Sequence, residues 1–243
     1  RAEADHLDVL KAAQIVHEEG IAIPVLLGRK DVILELKKEL EFDADLVIID
    51  PMSEEFDERH IRYATKYWES RKRSGVTFYS SKIKMRERNY FGAMMVLEGD
   101  ADGMISGYSR AYPTVVKPIL EVIGRATGVK KVATVNIMIT ERGPMFLADT
   151  SINIEPNAEE LADIAQMTAN VASNFGFDPV LAMLSYANFG SSSHPNSRKV
   201  REAVRILHEN KPNLLVDGEI QIDFALNKEL HQSKFPFSKL AGK

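Results

Sequence analysis

The chain has 243 residues, 44% hydrophobic and 27% charged, which suits a globular protein with a sizeable core and one or two domains. Its 31 Lys and Arg against 35 Asp and Glu leave a formal charge of -4 and a pI near 5.9, arguing against a nucleic-acid partner, which needs a concentrated basic face. With no cysteine there is no disulfide framework, thiolate zinc site or Cys nucleophile, and no apolar run approaches the roughly 20 residues that span a bilayer. "RAEADHLDVL" has no charged-then-apolar leader, so the expected address is the cytoplasm.

In chain order, "DHLDVLKAAQIVHEEG" predicts a helix, with Asp5 as a cap candidate, Val9, Ala12, Ala13 and Val16 at helical spacing, and Gly20 as the stop. "IAIPVLLG" reads as a buried strand, "KDVILELKKEL" as a helix and "ADLVIIDP" as another strand. A long helix is expected over 54–74, a further one in "MRERNYFGAMMVLEG", a short strand in "ADGMISG" and a helix over 113–127. The strand-like runs "VKKVATVNIMIT" and "GPMFLADTSIN", joined by the three residues "ERG", predict an antiparallel hairpin. Then follow a helix in "NAEELADIAQMTANVASNFG", the strand "PVLAMLSYA", a helix from about Asn196, and the runs "NLLVDGEIQ" and "FALNKEL". This order predicts an α/β fold with a mainly parallel sheet, a hairpin inserted near the middle and a boundary near residue 130. No strand follows "FPFSKLAGK" to complete a further βα unit, which suggests a piece of something longer.

The sequence holds no GxxxxGK[ST], HExxH, GxSxG or post-strand GxGxxG, and its six His are scattered. The informative stretch is "LSYANFGSSSHPNSRKV", residues 184–200. One reading is purely structural. Gly190 turns the chain, the Ser residues and Asn196 satisfy freed backbone groups, and Pro195 starts a helix. The other is a ligand cradle, since ligands of open α/β sheets sit beyond the carboxyl ends of strands and small residues let N–H groups approach phosphate oxygens. "ADGMISGYSRAYPTVVKPIL" repeats that logic, with Ser106-Gly107 at a strand end, Arg110 in the turn, and Pro113 opening a helix that bears Lys117. "YWESRKRSGVT" adds Arg71, Lys72 and Arg73, which also suit a helix terminus as plain dipole-complementing charges. Trp68 and Tyr67 read as core, and Asp149 in "FLADT" receives no catalytic role.

"DVLKAAQIVHEEGIAIPVLLG", "YFGAMMVLEGDADGMISG", "FLADTSINIEPNAEELADIA", "AMLSYANFGSSSHP", "KVREAV" and "VDGEIQIDFAL" occur in one order between residue 3 and about residue 230. In them the chain resembles the phosphate acetyl/butyryl transferase family. "MRERNYFGAMMV", "SRAYPTVVKP", "LSYANFGSS" and "FALNKEL…FPFS" are similar to one branch, the C-terminal transferase-like domain of large NADP-dependent malic enzymes. The resemblance implies a three-layer α/β/α architecture, isocitrate/isopropylmalate dehydrogenase-like, with two subdomains (1–130, incomplete, and 131–243) and a ligand cleft between them. It also implies a homodimer or higher homo-oligomer through the hairpin of the second subdomain. The leading expectation is an acyl-CoA-binding regulatory domain; the alternative is an active transferase moving an acyl group between coenzyme A and phosphate. Acetyl-CoA or CoA would be the ligand, with no cofactor in this domain. NADP and a divalent metal would belong to an N-terminal malic enzyme region of the same protein. No nucleic-acid or membrane partner is expected.

On the family's motifs, Arg71 falls on an arginine of the active cleft, and Ser106 and Gly107 fall on its "SG" strand end. Lys117 stands where an Arg before Pro is usual. Ser185, Gly190 and Ser191 match the "LSxSTKGSA" loop, where Asn188-Phe189 replaces Thr-Lys, and Arg110 and Ser192 complete the expected ligand set. Both departures weaken phosphate handling, because Lys lacks the bidentate fork of Arg and Phe189 removes a cation. The family's catalytic Ser-Arg pair and Asp base would lie beyond Lys243.

Overall fold

The computed structural model of the protein describes residues 3–53 and 58–243. The chain divides into two compact units, Arg1–Thr127 and Gly128–Lys243.

The first unit begins with α1 (Leu7–Glu18), β1 (Leu26–Leu27), α2 (Lys30–Glu39) and β2 (Ile48–Ile49). Gly20, at φ 65°, ends α1 in the left-handed region, as the sequence suggested. Asp5 is not the cap. His6 holds that position without a side-chain bond, while both Asp5 oxygens accept from Arg88 at 2.7 Å. The strands pair in parallel, with Leu26 opposite Ile48 and Leu27 opposite Ile49. Side chains alternate across a strand, and here that alternation separates two cores. Leu26 joins Leu10, Ala13, Ile33 and Phe42, whereas Leu27 joins Tyr63, Tyr67, Phe91 and Met94.

The second of these cores is built by α3 (Glu58–Arg71), a 3₁₀ turn at Lys72–Ser74, α4 (Phe78–Lys84), α5 (Arg88–Leu97) and α6 (Tyr112–Val122). Of the helix expected over 54–74, residues 54–57 lie outside the described residues. Tyr67 is buried and Trp68 half-buried, edge-on to Phe78. Gly92 is packed so closely that a Cβ would lie 2.7 Å from the Met104 sulfur. Residues 101–107 form no strand, contrary to expectation. Gly103 and Gly107 break an already short apolar run, and the Gly107 N–H turns to the Glu3 side chain instead of a ladder.

The second unit opens with β3 (Val135–Thr140) and β4 (Gly143–Ala148), antiparallel, with Thr140 opposite Gly143. The link is therefore two residues, Glu141-Arg142, because Gly143 (φ 107°) is already in the ladder rather than in the turn. Ile137, Met138 and Ile139 of β3 are exposed. Next come α7 (Ala158–Asn174), β5 (Val180–Leu184), α8 (Pro195–Asn210), β6 (Leu215–Ile220), α9 (Ile222–Leu226) and α10 (Lys228–Lys234). Asn157 and Glu160 close a reciprocal capping box at the start of α7. β5 and β6 pair in parallel beneath α7 and α8, whose Ala162, Ala165, Ala203, Val204 and Leu207 cover Met183 and Val216.

Among the described residues the strands form three separate two-stranded sheets, not one mainly parallel sheet. The apolar runs read as strands are longer than the segments that find a partner, so burial alone overstated the ladders. Among the described residues no helix is long and apolar enough to cross a membrane.

Candidate functional site

In the first unit, Arg71 ends α3, and the chain leaves through the 3₁₀ turn to Gly75 at φ 84°. Its Nε is buried and has no hydrogen-bond partner among the described residues. Most buried donors are satisfied, so this atom is an exception that calls for an acceptor. One turn back, the Tyr67 hydroxyl donates to Glu121 at 2.9 Å, and Tyr90 donates to the same oxygen at 2.6 Å. Lys84 donates to the Tyr90 hydroxyl at 2.9 Å. Burial works against the Glu121 charge, but the Tyr90 and Tyr67 hydroxyls outweigh it and hold the carboxyl below its ordinary value. Burial and the same carboxylate push Tyr67 up to about 12 and Tyr90 higher, so both phenols stay donors. Lys117, one turn before Glu121, lies 3.9 Å from it with 67% of its side chain exposed. Such an exposed pair contributes at most about 1 kcal/mol, so the ammonium is available to an anion.

The turn after residue 105 is a backbone nest, and it is occupied. The N–H groups of Gly107, Tyr108 and Ser109 donate to the Glu3 carboxylate at 2.9, 2.8 and 3.0 Å, and the Ser109 hydroxyl joins them at 2.6 Å. Glu3 is 3% exposed. The N–H groups that converge in this turn are those of Gly107, Tyr108 and Ser109, without Ser106, and the protein's own carboxylate fills it. Ser106 itself donates to Asn89. Arg110 is exposed and makes no hydrogen bond or ion pair among the described residues.

In the second unit, β5 runs into the loop 185–194. Asn188 N–H donates to Ser191 Oγ at 3.0 Å and Ser191 N–H returns to the Asn188 carbonyl at 2.9 Å, a closed turn. The Asn188 side chain forms a reciprocal pair with Gln221, donating through its amide and accepting the Gln221 N–H at 2.8 Å. Ser185 faces Ser197, oxygen to oxygen at 3.3 Å, and Ser192 lies 2.9 Å from the Tyr186 hydroxyl. The cap of α8 is His194, whose Nδ1 accepts from Asn196 N–H; the cap was expected from the Ser residues and Asn196. Phe189 sits at φ 37°, which sends its ring away from the turn onto Phe235 and Phe237, at 4.9 and 5.1 Å between centroids.

What lies under this loop is absent from the sequence reading. Glu219 of β6 has no exposed side-chain surface; it accepts from Gly190 N–H at 2.8 Å and from Arg201 Nε and Nη2 at 3.0 and 2.6 Å. Its carbonyl also accepts Phe189 N–H at 2.8 Å. Arg201 was visible only as part of "KVREAV", and Glu219 only as part of a strand. The available signal was an acid at an inward position of a buried run. A separate cavity of about 400 Å³ in this unit, bordered by β4, α7, β5 and His231, is lined mostly by apolar side chains, with Thr168, Asp178 and Lys243 also at its wall. None of the expected ligand residues lines it.

Each unit of this α/β protein thus carries a loop at a helix start, rich in small residues and tied down by an internal carboxylate, and the first unit adds an arginine whose buried Nε has no partner among the described residues. A family model described as phosphate acetyl/butaryl transferase matches residues 2–243, and the chain belongs to that family. It is 42% identical over 242 residues to a phosphate acetyltransferase of Thermoanaerobacterium thermosaccharolyticum, covering 96% of this chain and 72% of the relative. It is 35% identical over 249 residues to an NADP-dependent malic enzyme of Escherichia coli, covering 99% of this chain but 32% of that relative. A solved phosphotransacetylase from Streptococcus pyogenes superposes with a TM-score of 0.84 at 35% identity, over 100% of this chain and 73% of its own. The mixed α/β fold of helices and small sheets is similar to that of this phosphotransacetylase.

Proposed function

We propose that the protein performs its family's transfer, moving an acyl group between coenzyme A and phosphate, with Arg71 and Lys117 meeting the anionic part of the ligand. The observation that carries this reading is the buried, unsatisfied Nε of Arg71, on the residue where the family places a cleft arginine. Lys117 and Arg110 add exposed cations, and Ser185, Asn188, Gly190, Ser191 and Ser192 form the ligand loop of the second unit. Ser106 and Gly107 act by shaping their turn, since Glu3 takes the Gly107 N–H. The similarity to a phosphate acetyltransferase over most of both chains favours turnover above the sensing role first expected.

A second reading keeps that role: an acyl-CoA-binding domain of a malic enzyme, with NADP and a divalent metal handled by a separate region. Phe189 favours it, because its ring is committed to aromatic packing where the family carries a cation.

Acetyl phosphate formation from acetyl-CoA and phosphate separates the two; binding without loss of the thioester would leave only the second. Replacing Arg71 by Ala should weaken acetyl-CoA binding by about one to two powers of ten, from the loss of one or two charge-assisted bonds. The thermal midpoint should stay close to the parent's. Titration calorimetry beside thermal melts measures both, and an Arg71→Ala protein that binds like the parent would remove Arg71 from the site.

We also assign the exposed β3 face to a homo-oligomeric contact, since an uncovered apolar edge invites association. Sedimentation at micromolar concentration should show at least a dimer, and Ile139→Lys should shift it towards monomer. A parent that sediments as a monomer overturns the assignment.

A further inference from the structure

We propose that Glu219 and Arg201 are a positioning pair, fixing the loop 188–192 from beneath while cancelling each other's charge. The inference rests on the reading of that loop as part of the ligand site.

A buried carboxylate under an anion-receiving loop is a liability taken alone. It would repel the ligand, and in a low-dielectric setting it needs its own partners. Here it has them. Arg201 meets both Glu219 oxygens through a two-pronged contact, and the third bond comes from the loop itself, Gly190 N–H. Arg201 reaches further along the same loop, donating from Nη2 to the Ser192 carbonyl at 3.2 Å. The pair therefore grips the loop at both ends of the Gly190–Ser192 segment, one member taking an N–H and the other giving one to a carbonyl. Gly190 is at φ 91°, and a Cβ there would sit 3.7 Å from Arg201 Nη2, so the guanidinium lies directly against the turn. The fork geometry matters, because a lysine at 201 could not hold both carboxylate oxygens and the Ser192 carbonyl together.

The design gives rigidity without net charge, which separates two effects that mutation can read independently. Arg201→Met leaves the carboxylate uncompensated below the loop. Arg201→Met with Glu219→Gln removes both charges. Glu219→Gln alone keeps the shape but loses the acceptor strength that holds Gly190 N–H.

Two measurements test this on the intact protein. Hydrogen exchange of the loop amides should accelerate by about tenfold at Gly190 in Glu219→Gln, the loss expected from one weakened hydrogen bond, with amides of α7 unchanged. In steady-state kinetics of acetyl transfer, Arg201→Met should raise KM for phosphate by about tenfold with kcat within about threefold. The double variant should recover most of that KM. A merely structural pair would instead lower the thermal midpoint and the active fraction, leaving KM unmoved, and the double variant would rescue nothing. Arg201→Lys supplies a folded comparison if Arg201→Met is insoluble, with a KM raised in the same direction. Unchanged Gly190 exchange in Glu219→Gln overturns the positioning role. Faster exchange with an unmoved KM takes the loop out of the ligand site and overturns the proposal too. A parent protein that neither transfers acetyl nor binds acetyl-CoA strikes the functional reading alone, and the exchange result still decides the pair.

Discussion

Gly218→Ala should cost the protein about 3–5 kcal/mol, a large fraction of the roughly 5–15 kcal/mol that holds an ordinary domain folded. Gly218 lies in β6 at φ 146°, a region open to glycine and strained for any side chain. Steric room is lacking as well. A Cβ there would stand 2.5 Å from the Met183 carbonyl oxygen and 3.0 Å from its Cβ, and backbone in a paired strand cannot swing away as a side chain can. The ladder is already irregular at this point, where the register shifts between Met183 and Leu184. Any displacement of β6 also carries Glu219 away from Gly190. Denaturant unfolding followed by far-UV circular dichroism measures the loss, and a variant within about 1 kcal/mol of the parent would show that the strand can yield.

The second large effect concerns Asp149, to which the sequence assigns no catalytic role. Its two oxygens accept from Thr134 N–H and hydroxyl, from the N–H groups of Ser151, Ile152 and Asn153, and from the Asn153 side chain. The Asn153 amide in turn reaches the Val132 carbonyl at 2.9 Å, so one carboxylate closes the base of the β3–β4 hairpin. Burial opposes its charge, but the Thr134 hydroxyl and the two Asn153 donors prevail and hold the carboxyl far below its ordinary 3.8. A folded pKa depressed in this way gives stability that is fully present above about pH 4, and is lost as pH falls through the folded value. Asp149→Asn turns one acceptor into a donor facing donors, and should lower stability by about 2–4 kcal/mol at neutral pH. The variant's stability should also fall less steeply than the parent's on acidification below pH 4. Thermal melts from pH 2 to 7 read both. Parallel curves would mean that Asp149 is not the group that titrates.

Helices with strong local signals were legible in the sequence. α7 carries its own capping box and α8 its Pro at the first turn, so each is specified by neighbours in sequence. α4 was not read. "FYSSKIK" is seven residues with two serines, and its start is fixed by a reciprocal Thr77–Ser80 cap rather than the usual Thr–Glu pattern. Strand lengths were overstated for a different reason. An apolar run shows that a segment is buried, whereas a ladder needs a second segment in register, and "IAIPVLLG" finds one for two residues only. In the candidate site, the exposed parts were readable, because Gly, Ser and Arg at a strand end form a local pattern. The internal anchors were not. Glu3 and Gly107 are 104 positions apart, and Glu219 and Gly190 are 29 apart, separations at which a single sequence gives no pairing signal.

The Glu3 contact also sets an order of events during synthesis. Residues 3 and 5 find their partners at 107–109 and 88, so the earliest-made part of the first unit is fastened by some of the last. At a typical 5–20 residues per second, Glu3 is made roughly 5–20 seconds before its three amides exist. During that interval α1 has its apolar face but not its clasp. The first unit therefore has little reason to close piecemeal. Its locking step waits for the turn after residue 105, and a nascent chain halted before that turn would hold the start of α1 through Arg88 and Asp5 but without the Glu3 clasp.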